Sequence, residues 1–165
     1  MVALFKDRSP AAIIWLFILS IIVHSHFFVD TPAVYAKNAD GVLSAFLNTY
    51  LVKLTPGFIV FIYHALVLLQ ALRLNHLFTD HRMYSKVNYL PAMVYILLTG
   101  VFTEWSNVTP ALIVNTILIW YYAKMIRLYN SPNPKTMLFN IGLLTGVSII
   151  LYHPSALLIP VAFLP

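Results

Sequence analysis

The chain has 165 residues, 61% of them hydrophobic and 9% charged, with a mean hydropathy of +0.84. A soluble domain carries about a quarter charged residues, so five acids, ten bases and six histidines cannot solvate a water-soluble surface of this size. The composition therefore predicts an all-α integral membrane helix bundle, and the net charge of +5 is to be read by membrane side rather than as a nucleic-acid footprint.

Met1 to Pro10 is a short basic head with Lys6 and Arg8, and Ser9-Pro10 is a helix start in which Pro occupies a position that needs no backbone donor. Residues 11–29 follow without a formal charge. At about 1.5 Å per residue they would reach roughly 28 Å, close to the hydrocarbon thickness, so they are read as a first span. The run exceeds a signal-peptide core, and Val34-Tyr35-Ala36 lies well beyond it, so an uncleaved span is expected.

Residues 30–56 form the most polar long connection, with Asp30, Lys37, Asn38, Asp40 and Lys53, and with Thr31-Pro32 and Asp40-Gly41 as turn signals. Within it Val42, Leu43, Phe46, Leu47, Tyr50, Leu51 and Leu54 recur at helical spacing, which predicts an interfacial amphipathic helix near 41–54. Residues 57–74 read as a second span containing His64 and Gln70, with Arg73 able to snorkel at its end. An interhelical hydrogen bond is the ordinary use of each of these two polar groups, and their spacing of six puts them on different faces.

After a compact charged connection with His76, Asp80, His81, Arg82 and Lys86, residues 89–105 are apolar but short, contain Pro91, Gly100 and, near their end, Glu104, and are read as a span that is tilted or a partly re-entrant helix buried by its neighbours. Further spans are predicted at 111–128 and 136–152, separated by Asn130-Ser131-Pro132-Asn133-Pro134. The last of them carries Gly142 and Gly146, a small-xxx-small pattern that lets a neighbouring helix approach. Residues 155–165 are apolar but too short to cross alone, so the chain reads as a single membrane domain of five spans whose last segment is either a half-helix packed on the bundle or the point where a longer polytopic chain is cut.

Lys6, Arg8, Arg73, Arg82, Lys86, Lys124, Arg127 and Lys135 fall on one predicted side, Lys37 and Lys53 on the other. This bias predicts a cytoplasmic amino terminus in an inner membrane. Trp105, Tyr89, Tyr129 and Tyr152 stand at predicted span ends, as in an aromatic belt.

The predicted external side gathers Asp30, Asp40 and Glu104, candidate catalytic carboxylates, with His24, His26 and His153 as candidate binding groups. A carboxylate near the bilayer surface could act as general base towards a hydroxyl, and histidine could bind a phosphate leaving group. Loop solubility and capping explain the same residues without chemistry. His24 and His26 point about 200° apart on a helix, which argues against joint chelation unless the helix ends there. His76 and Asp80, four apart, would share a helix face, but six scattered histidines predict no metal centre. No Walker loop, dinucleotide fingerprint or nucleophile elbow occurs, and no cofactor is expected.

Leu69-Gln70-Ala71-Leu72 through Asn75-His76, Asn88-Tyr89-Leu90-Pro91-Ala92, Thr109-Pro110-Ala111-Leu112 with Asn115, and Phe139-Asn140-Ile141-Gly142 leading to Tyr152-His153-Pro154 together resemble an uncharacterised family of polytopic inner-membrane proteins of Bacteroidota. That resemblance implies that the chain is an amino-terminal half. More distantly, the layout is similar to membrane glycosyltransferases that use polyprenyl-phosphate sugars. It implies a role for Asp30 or Asp40 as the acid of the first external loop, although that loop has no paired Asp-Glu and no arginine to hold a phosphate. The leading expectation is a membrane component or accessory subunit that packs with partner helices among membrane lipids. Sugar transfer from a polyprenyl-phosphate lipid is the alternative, and a small-solute transporter using His64 and Gln70 the third.

Overall fold

The computed structural model describes residue 5 and residues 9–37, 40–84, 88–128 and 131–162. Among them it is helical throughout: α1 (Pro10–Val23), α2 (Val42–Tyr50), α3 (Pro56–Asp80), α4 (Leu90–Thr99), α5 (Pro110–Leu128), α6 (Pro134–Leu151) and α7 (Leu158–Ala162). Short 3₁₀ turns follow at Ser25–Phe28, Leu51–Lys53, Thr103–Ser106 and His153–Leu157. Lys6, Arg8 and Lys86 of the predicted basic side, Asn38 and Tyr129 lie outside the described residues, as does the side chain of Glu104.

Three helices, α3, α5 and α6, are long and apolar enough to cross a membrane, against five spans expected. The other two expected spans are shorter helices. In α1 the backbone N–H of His24 reaches the Ser20 carbonyl at 3.1 Å, and the His24 ring Nδ1 folds back onto the same oxygen at 2.9 Å. The chain then tightens into the 3₁₀ turn, so 14 helical residues cover about 21 Å instead of the 28 Å of the uncharged run. α4 has 10 residues and ends at Gly100. α3 runs the other way, 25 residues and about 38 Å, passing Arg73 to end at Asp80.

The helices group into two compact units. The first, residues 1–33 and 54–108, packs α1, α3 and α4 against one another. Its buried positions follow helical spacing: Ala12, Leu16, Leu19 and Ser20 on α1; Tyr63, Val67, Gln70, Ala71 and Asn75 on α3; Ala92, Ile96 and Thr99 on α4. Ala12, Ala71 and Ala92 are fully or almost fully buried, and their small side chains let the helix backbones come close. Gly100 serves the same purpose, because a Cβ there would run into the Val23 side chain. A backbone bond from Val108 to the Ala33 carbonyl (3.1 Å) and one from the Ala33 N–H to Asn107 Oδ1 (3.1 Å) tie the two segments of this unit together.

The second unit, residues 34–53 and 109–165, packs α2, α5 and α6 together, with α7 against α6. Tyr121, Ile141 and Leu158 form its core, and the Tyr121 hydroxyl donates to the Leu158 carbonyl at 3.5 Å. α2 occupies the segment expected to be interfacial, but it buries Ser44 and Leu47 and leaves Val42, Phe46 and Tyr50 exposed. Only part of the apolar stripe is turned inward. Gly41, of the Asp40-Gly41 turn signal, has φ +133°, and a Cβ there would lie 2.5 Å from the Leu151 carbonyl oxygen. Both the conformation and the close approach need glycine. At Gly142 and Gly146 a Cβ would meet no atom within 4 Å.

Candidate functional site

The first unit contains a polar cluster within its apolar packing. Ser20, near the end of α1, serves two histidines: its hydroxyl is 2.8 Å from His64 Nδ1 on α3, and its carbonyl accepts from His24 Nδ1 at 2.9 Å. His24 Nε2 lies 3.0 Å from the Tyr63 hydroxyl, which is also 3.0 Å from the Trp105 carbonyl. All four side chains are buried, Ser20 and Tyr63 completely and His64 to 7% exposure. Phe27 closes the cluster, with its ring centroid 5.3 Å from His24, 5.0 Å from Tyr63 and 5.7 Å from His64.

Proton bookkeeping restricts what this chain of groups can do. A carbonyl only accepts, so His24 Nδ1 must carry a hydrogen, and the Nε2 of a neutral imidazole is then an acceptor. The single hydroxyl proton of Tyr63 therefore faces two acceptors, His24 Nε2 and the Trp105 carbonyl. A second proton on His24 would satisfy every member.

Beside the cluster lies a cavity of about 520 Å³ between α1, the Ser25–Phe28 turn and α3. Its lining is apolar apart from His24 and His64, and includes Phe17, Phe27, Phe28 and Phe61. The volume falls within the range of about 300–1,000 Å³ usual for small-molecule sites.

Of the residues singled out from sequence, His24 and His26 sit on either side of the end of α1, with ring centroids 6.1 Å apart. His24 is buried and His26 exposed. Asp30 is exposed, and its backbone N–H bonds the His26 carbonyl at 2.9 Å. It does not line the cavity. Asp40, half-buried, and His153, exposed, belong to the second unit, and Glu104 lies in the Thr103–Ser106 turn of the first. Among the described residues no group of three histidines or carboxylates could hold a metal ion. His76 and Asp80 do share a face of α3, with Nε2 3.3 Å from Oδ2.

His64 and Gln70 each make an interhelical bond, to Ser20 of α1 and to the Tyr95 hydroxyl of α4 at 2.5 Å. The partners Ser20, Tyr63 and Tyr95 are missed by the sequence reading, because serine and tyrosine are ordinary in apolar helices. The spacing Ser20–His24, four residues apart near the end of an apolar run, was the signal that could have found the cluster. No family model, curated protein or solved structure matches the chain.

Proposed function

We propose that the chain is a multi-pass integral membrane component of the inner membrane, with its amino terminus in the cytoplasm, packing with partner helices in the bilayer. One observation carries this reading: the helices expose many large apolar side chains while isolated polar groups within them are buried. α3 buries His64, Gln70 and Asn75 while exposing Phe58, Phe61 and Leu69, and α6 buries Thr145 and Ser148 while exposing Leu138, Phe139, Leu143 and Ile150. In water such faces would aggregate. In lipid the outer apolar residues meet their own solvent, and polar groups turn inward to find partners.

The alternative of sugar transfer from a polyprenyl-phosphate lipid at Asp30 or Asp40 receives less support, since Asp30 does not line the cavity and Asp40 belongs to the other unit. The chain has no cysteine, so single-cysteine variants are informative without prior changes. Membranes from expressing cells should keep the protein after alkaline carbonate extraction. An impermeant maleimide should label Asp30→Cys and Tyr35→Cys in spheroplasts, and Arg127→Cys and Lys135→Cys only after permeabilisation. Release by carbonate would overturn membrane insertion, and equal labelling of both sets would overturn the orientation.

A further inference from the structure

We propose that the cavity between α1 and α3 holds the head of a membrane quinone, hydrogen-bonded to Nε2–H of His64. The first step concerns the tautomer. Ser20 Oγ is completely buried, and its hydrogen bond is to His64 Nδ1. Other helical hydroxyls of this chain, at Thr49, Thr79, Thr145 and Ser148, donate instead to the carbonyl four residues back. Ser20 makes no such bond, so its proton is satisfied only by donation to Nδ1. That leaves the hydrogen of neutral His64 on Nε2. Nε2 has no bond within the described residues and is not among the sealed, unpaired buried atoms, so it offers a donor to the cavity that His64 lines.

A ligand for this donor must present an acceptor. No lysine or arginine lines the cavity, and an unpaired anion in an apolar site is costly, so the acceptor is an uncharged carbonyl oxygen. The walls then distinguish a flat conjugated head from a flexible ester. Phe17, Phe27 and His24 stand edge-on to the His64 ring at centroid distances of 6.5, 5.7 and 5.7 Å, and Phe61 adds a further aromatic surface to the lining. Aromatic edges and faces of this kind suit a planar ring. Phe17, Phe28 and Phe61 are themselves exposed, so the rim opens on the helix flank and an isoprenoid tail can remain in lipid.

The ligand comes from the bilayer, so the proposal rests on the membrane reading; binding to the detergent-purified chain and resistance to carbonate are separate measurements that fail separately. The probe is a benzoquinone with a ten-carbon tail, followed by equilibrium dialysis against the purified full chain in micelles. Saturable binding is expected, weakened roughly tenfold or more in His64→Phe and abolished in Ala65→Trp, which fills the cavity, while methyl decanoate fails to compete. Nitrogen NMR of the histidine-labelled wild-type chain should show His64 protonated at Nε2 and not at Nδ1, a reading that needs no variant to fold. Absence of saturable binding, wild-type affinity in His64→Phe, equal competition by the ester, or the opposite tautomer would each overturn the assignment.

Discussion

The Tyr63 hydroxyl and His24 Nε2 lie 3.0 Å apart and join the third turn of α3 to the end of α1. This bond sits where the uncharged run of residues 11–29 stops being helical, so the same histidine that ends α1 also anchors its end to the neighbouring helix. Tyr63→Phe keeps the ring packed against Phe27 and removes only the hydroxyl. His24 Nε2 and the Trp105 carbonyl then lose their shared partner, and an unsatisfied buried group costs about 1–3 kcal/mol. Reversible unfolding in detergent should show a loss of that size. An unchanged midpoint would mean that water replaces the hydroxyl at no cost.

Gly100 and Val23 form the second contact on which this end of the unit depends. A Cβ at position 100 would run into the Val23 side chain, and overpacking of a helix contact costs about 1–3 kcal/mol. Gly100→Ala should therefore lower the thermal midpoint, and Val23→Ala in the same chain should recover most of the loss. If the double variant is no better than Gly100→Ala alone, the glycine is needed for its backbone and not for the space beside Val23.

The helical class and the interhelical use of His64 and Gln70 were legible in the sequence, because apolar runs and isolated polar groups within them have few other outcomes in lipid. The length of α1 was not. Ser20, His24 and His26 carry no formal charge and leave the hydropathy pattern unbroken, so nothing in it marks where the α-helix passes into the 3₁₀ turn. The grouping into two units was hidden for a different reason: each is assembled from two segments separated along the chain. The candidate carboxylates were selected by charge and predicted side, but the buried cluster is built from uncharged groups, whose value lies in who faces whom.

The Tyr95–Gln70 bond tests how much such a contact contributes between two helices that, under the proposed membrane reading, are surrounded by lipid. Tyr95 of α4 donates to Gln70 Oε1 of α3, and Gln70 is completely buried. Low dielectric argues for a strong bond, yet in a membrane the separated helices can also find partners, and measured coupling between such pairs averages about 0.6 kcal/mol with a maximum near 1.7. A double-mutant cycle with Tyr95→Phe and Gln70→Leu should therefore give a coupling energy of about 0.6 kcal/mol, read from unfolding in mixed micelles. The single Tyr95→Phe change can cost more than this, because it also leaves an amide oxygen without that donor. A coupling energy above about 2 kcal/mol would show that the separated helices do not find the alternative partners on which the small value depends.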